Sequence, residues 1–224
     1  MKKFVAALLL LGLIFSFASC ADTNTESTTT SSSTQEPETP VVNTMTSKEA
    51  LDGIFVPFLT NMAPLFGAET ADDIKGYFVG MDVDTITEID PDTGEEFSYP
   101  MPKNEPSFIS LEDTEVLYSM TYFPTESVSK IKDAAIFYNM MNMNNGTYAA
   151  FSFENAADLE AVAATLADTL KNNHWQCGFP DGYAIMRVDN VLLCTFGLND
   201  SLTAFKGAVS STYVTAETLF EGTI

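Results

Sequence analysis

The chain has one histidine, one tryptophan and three cysteines among 224 residues. With a single imidazole, any Ser–His–Asp or Cys–His arrangement has to run through His174. No G-x-S-x-G elbow, H-E-x-x-H pair or Gly-rich phosphate loop occurs. Basic residues are scarce: 10 Lys and Arg face 31 Asp and Glu, a net charge of −21. Nucleic-acid binding needs clustered positive charge to displace counterions from phosphates, so that class is excluded. Charge-driven binding to anionic headgroups is disfavoured for the same reason. Such acidity serves solubility first, and suits a cationic partner or metal ions second. Past Phe17 no apolar run approaches the roughly 20 residues that a membrane-spanning helix requires. No period of 20–50 residues recurs, which argues against a solenoid or propeller.

What is present begins with Lys2 and Lys3, an apolar run from Phe4 to Phe15, and the small residues Ser16, Ala18 and Ser19. A charged start, a short apolar core and a small-residue exit describe a secretory signal over residues 1–19. Phe17-Ala18-Ser19-Cys20 resembles the lipobox of bacterial lipoproteins, with Phe17 where Leu is usual. The resemblance implies a diacylglycerol on Cys20, which becomes the mature N-terminus. The expected location is therefore the extracytoplasmic face of a cell membrane, with the lipid as the membrane contact. Without Lys2 and Lys3, eight basic residues face 31 acidic ones, a net −23.

Residues 21–46 hold nine Thr, four Ser, Pro37, Pro40 and four acids, with no Lys or Arg. That composition buries too little apolar surface to offset the entropy of ordering it. Together with Cys20 it is expected to form a disordered tether over 20–46, reaching roughly 30 Å as a flexible coil.

The remaining 178 residues can build a core. Thr46 and Glu49 form a capping box ahead of Ala50, Leu51, Ile54, Phe55, Phe58 and Leu59 at helical spacing. Pro57 is expected to kink or shorten that helix, and Pro64 and Gly67 to end it. Val83 to Tyr99 reads as a hairpin around Asp90-Pro91-Asp92-Thr93-Gly94. Pro100, Pro102 and Pro106 separate an N-terminal helical and hairpin part, 47–107, from a C-terminal part, 108–224. There, Thr147–Phe153 reads as a buried strand and Asn155 caps a helix through Leu170. Asp189-Asn190 joins two strands, and Asp200 caps a last helix. The segment 126–142 fits helix or strand. The expected fold is α+β, a small antiparallel sheet with helices on one face.

The lipobox, the Thr/Ser spacer and this strand–helix–hairpin–helix half together resemble a family of small lipoproteins of Gram-positive, Clostridia-type bacteria. The likeness covers about residues 110–220. The family's C-terminal domain has no known function, so the resemblance implies a surface lipoprotein and supplies no site residues.

Candidate chemistry gathers in two places. His174, Trp175 and Tyr183 could line a ligand loop, and His174 with Cys177 could form a thiol dyad; the expectation is instead that His174 bonds the last carbonyls of its helix and that Trp175 packs on the apolar layer of the sheet. Cys177 and Cys194 could pair as a disulfide, worth about 3 kcal/mol for a loop of this size. Cys194 could instead pack as a small hydrophobe in its strand. With His174 they give three soft ligands, one fewer than structural zinc normally takes. Asp82, Asp84, Glu88, Asp90, Asp92, Glu95 and Glu96 invite a calcium reading, but placing Gly94 at position six of an EF-hand puts Ile89 at position one. A solvated acidic hairpin is the simpler account. Met140, Met141 and Met143 could offer thioethers to Cu(I) or fill core. No metal or cofactor is expected. The expected function is a non-catalytic binding or interaction domain for a protein or small molecule. The alternatives are a hydrolase or thiol enzyme at His174 and Cys177, or a structural subunit of an envelope assembly. Cys20→Ser is expected to abolish lipid-dependent processing and membrane retention in cell fractionation. A variant processed and retained like wild type would contradict the lipid assignment.

Overall fold

A computed structural model describes residues 44–224 except Cys177. The expected signal, Cys20 and most of the expected tether lie outside the described residues. Met45 and Thr46, assigned to the tether by composition, belong to the fold. Met45 packs on the core, its N–H donates to Asn190 Oδ1 at 3.2 Å, and Asn190 Nδ2 donates back to Met45 O at 3.2 Å.

Helix α1 (Ser47–Met62) starts on the expected capping box. The Thr46 N–H and hydroxyl donate to Glu49 Oε2 at 2.8 and 2.9 Å, and Glu49 N–H donates to Thr46 Oγ1 at 3.2 Å. The helix runs on through Pro57 to Met62, and a 3₁₀ turn over Ala63–Phe66 leads to Gly67 at φ 68°. Its buried face is Ala50, Leu51, Ile54, Phe55, Phe58, Leu59 and Met62, as the spacing requires. Close approach needs glycine at one point: a Cβ on Gly53 would lie 2.3 Å from Tyr213 Oη, which donates to Ala50 O at 3.0 Å. A short α2 (Ala71–Lys75) follows, then β1 (Phe78–Val79), β2 (Val83–Ile89), β3 (Glu96–Pro102), β4 (Ser107–Ile109) and α3 (Thr114–Thr121). The ambiguous segment resolves as a 3₁₀ turn over Thr125–Lys130 and β5 (Ile131–Asn139). The C-terminal half comprises β6 (Gly146–Phe153), α4 (Ala156–Asn172), β7 (Gly182–Val188), β8 (Val191–Gly197), α5 (Asn199–Thr212) and β9 (Glu217–Thr223). Helix α5 begins on Leu198 without a side-chain cap, and Asp200 sits inside its first turn.

Seven strands form one sheet in the order β1-β5-β6-β8-β7-β9, with β4 also paired to β5; every pairing is antiparallel. Strands β2 and β3 form a separate two-stranded ribbon. The architecture is α+β, as expected, but helices cover both faces of the sheet. Ala135, Phe137, Tyr148, Ala150, Met186 and Leu193 face α1 and α5; Ile136, Phe151, Phe153, Ile185, Leu192 and Phe196 face the side covered by α4 and α3. The physical reason is parity. Successive strand residues point to opposite faces, and β6 and β8 are buried at every position. An unbroken apolar strand needs cover on both sides, and helices on one face would leave half of it in water.

Helix α1 and the C-terminal elements share one core, so the parts expected at 47–107 and 108–224 are joined. Phe58 meets Tyr148 at 4.4 Å between ring centres, Phe137 stacks on Tyr148 at 4.6 Å, and Phe205 closes the group at 5.5 Å from Tyr148. Asp133 Oδ1 accepts the Ser47 N–H at 2.7 Å, fixing the start of α1 against β5. Among the described residues no helix is long and apolar enough to cross a membrane.

The backbone and hydroxyl of Thr46 hold the Glu49 carboxyl below its ordinary range. Its stabilising contribution is therefore complete above the ordinary carboxylate range and is lost as pH falls through that range and then the folded-state value. In Glu49→Gln the amide oxygen still accepts from Thr46 but does not titrate. The variant is expected to lose less stability than wild type between about pH 7 and 3 in denaturant melts. An equal or larger loss would contradict the assignment.

Candidate functional site

The loop that follows α4 does not assemble a catalytic set among the described residues. His174 is exposed past the helix end and makes no hydrogen bond with another described residue. Cys177 lies outside the described residues, so a His174–Cys177 dyad and a Cys177–Cys194 disulfide do too. Cys194 is buried in β8, and burial pushes the ionisation of its thiol up. Tyr183 is buried, paired in register with Phe196, and its phenol is pushed up by burial first and then by Asp168. Trp175 is partly buried, edge-on to Tyr122 at 4.9 Å and tilted on Phe196 at 5.2 Å. Its indole Nε1 is enclosed with no acceptor among the described residues. Tyr122 itself sits in the left-handed region at φ 56°, capping the end of α3. The structure thus brings Trp175, Phe196 and Tyr183 together as packing on the sheet and leaves His174 outside that group.

The other sequence candidates also separate. Met140 and Met141 are exposed on the β5–β6 connection and do not fill core. Among the described residues no three His, Cys, Asp or Glu side chains converge on a point suited to a metal.

The hairpin of β2 and β3 is the surface that stands out. Neither strand belongs to the core or packs closely on another element. Locally its formation is well determined. Asp90 Oδ1 accepts the N–H groups of Asp92 and Thr93 at 2.8 and 3.0 Å, Gly94 N–H donates to Asp90 O at 2.8 Å, and Gly94 takes φ 73°. Those two amides hold the Asp90 carboxyl below its ordinary range. Cross-strand contacts follow the register: Thr87 and Ser98 hydroxyls lie 2.8 Å apart, Tyr99 Oη donates to Glu88 Oε1 at 2.9 Å, and Lys103 pairs with Asp84 at 3.4 Å. The hydrogen bond to Glu88 pushes the Tyr99 phenol up.

The two faces of this ribbon differ. One carries Val83, Thr85, Thr87 and Ile89 across from Glu96, Ser98, Pro100 and Pro102. The other carries Phe97, Tyr99 and Met101 in line, with Ile86 between Asp84 and Glu88 across from them. Phe97 and Tyr99 stack at 5.9 Å, and Phe97 and Met101 remain 46% and 45% exposed. At the root of this second face Lys75, Asp84, Ile86, Met101, Lys103 and Glu105 line an open concavity of about 380 Å³. The acidic-hairpin reading therefore holds, but it overlooked the aromatic row. The signal was available: Phe97, Tyr99 and Met101 recur at a spacing of two, which puts them on one face of any strand.

Comparison with known proteins returned no matching family model, curated protein or solved structure.

The packing assigned to Trp175 has a measurable consequence. A fully buried aromatic cut to Ala costs about 3–5 kcal/mol, and a partly buried one correspondingly less. Trp175→Ala is expected to lower unfolding free energy by about 2 kcal/mol in denaturant melts. An unchanged midpoint would return the loop to the status of a binding-site candidate.

Proposed function

We propose that this chain is a non-catalytic binding or interaction domain, held at the extracytoplasmic face of a cell membrane by lipid on Cys20, with the β2–β3 hairpin as its contact arm. The observation that carries this reading is the row Phe97, Tyr99 and Met101 with Ile86, on a ribbon outside the core, with Phe97 and Met101 exposed and Tyr99 and Ile86 half-buried. A two-stranded hairpin is marginally stable in water on its own. An apolar row that no described element covers gains most from burial against a partner.

The disposition of the polar groups supports binding over chemistry. Glu49, Asp73, Asp90 and Asp113 cap helices or a turn, Asp133 anchors α1, and Asn190 ties Met45 to Phe153. These carboxylates and amides are committed to structure. A tether of roughly 30 Å would let the arm search the space next to the membrane.

A photo-cross-linking residue placed at Phe97 in cells tests the reading, with Val214, fully exposed at 101%, as the control position. Discrete adducts from position 97 and none from 214 are expected. Equal labelling from both, or none from 97, would contradict a contact arm.

A further inference from the structure

The two long edges of the hairpin are not equivalent. Asp90 N–H donates to Glu95 O at 2.8 Å at the tip, and Lys103 N–H donates to Asp82 O at 2.8 Å at the root. Backbone groups in an antiparallel pair point alternately toward and away from the partner strand. The register therefore turns Asp84, Ile86 and Glu88 inward on β2, and Phe97, Tyr99 and Met101 inward on β3. Outward on β3 are Glu96, Ser98, Pro100 and Pro102. Neither proline has an N–H to donate, so this edge is closed to a further strand. Outward on β2 are Val83, Thr85, Thr87 and Ile89, with no described strand beside them. The main sheet has its own open edge at β9, but that strand carries Gly222 and a register break opposite Ile185 and Met186. Bulges and glycines weaken an edge as a template, and β2 has neither.

Building on the binding role proposed above, we infer that the outer edge of β2 receives an extended segment of a partner protein as a third strand, and that Lys or Arg alternates with apolar or β-branched residues in that segment. Side chains of an added strand fall alternately on the two faces. On one face they meet Val83, Thr85, Thr87 and Ile89, a β-branched row suited to Val, Ile or Thr. On the other they meet Asp84 and Glu88, with the rings of Phe97 and Tyr99 one strand beyond. A long cationic side chain there reaches carboxylates and aromatic faces at once. A second copy of this chain is a poor occupant. Residues 82–103 hold seven acids and one lysine, so β2 against β2 would set like charges side by side.

The test uses the full-length chain in detergent and a short labelled peptide of alternating Lys and Val, followed by fluorescence anisotropy and hydrogen–deuterium exchange. Saturable binding is expected, with slowed exchange confined to residues 83–89. The same peptide methylated on the backbone nitrogens that face the edge keeps its charge but loses its donors. It is expected to bind at least about tenfold more weakly. Thr85→Pro should weaken binding similarly, because it copies the proline that already faces it at position 100, while Ser98→Pro on the closed edge should not. Four results would overturn the inference: no saturable binding, equal binding of the methylated peptide, protection at 217–223 instead, or protection at 83–89 in a peptide-free dimer. Cross-links from position 97 without edge protection would keep the binding role and remove strand addition.

Discussion

Every residue of β6 and β8 is buried, so the centre of the sheet has to be covered from both sides at once. That requirement organises the rest of the molecule. Odd and even positions of one strand belong to different cores: Ala150 and Leu193 to the layer under α1 and α5, Phe151 and Leu192 to the layer under α4 and α3. Helix α1, remote in sequence, is recruited to the first layer and clamped in its first turn by Asp133, at Ser47, and by Tyr213, at Ala50. The same dryness pushes the ionisation of the Cys194 thiol and of the Tyr148 phenol up. It also leaves the Ser152 and Thr195 hydroxyls enclosed without a described partner, groups that in an apolar layer carry a desolvation cost of about 1–3 kcal/mol each.

The hairpin is the counterpart of that core. Its turn is tightly built and its cross-strand contacts are in register, yet its apolar row adds nothing to either layer. A surface excluded from the fold's own stabilisation, aromatic on one face and β-branched on the other, is free to contribute to association. On the proposed binding role, acids along β2 and in the turn would favour a cationic segment over a second copy through long-range attraction.

Elements set by local chemistry were legible in the sequence. The Thr46 capping box, the Asn155 cap with its helical apolar spacing, and the Asp189-Asn190 turn all formed where their residues indicated. Elements that depend on distant partners were not. Strand β9 is mostly exposed and polar, with Glu217, Thr218, Glu221 and Thr223, and exists because β7 offers it a register. The two- and three-residue strands β1 and β4 are likewise set by β5. The second helical layer was implicit in the unbroken run Thr147–Phe153, since a strand apolar at both parities has no side to expose, but apolar content alone does not say which helix provides the cover. In the candidate site, His174, Trp175 and Tyr183 attracted notice through residue type. The decisive feature was instead the spacing of Phe97, Tyr99 and Met101 beside acids.

On this account a sheet covered on both faces carries a hairpin that shares none of its protection. Native-state hydrogen exchange on the free chain measures this directly, because each amide reports the opening that exposes it. Amides in β6 and β8 should exchange only through global unfolding. The inward amides of Ile86, Glu88 and Phe97 should exchange orders of magnitude faster, through local opening of the hairpin. Hairpin amides as slow as those of β6 and β8 would contradict the account, because they would show the apolar row already supported by the fold itself.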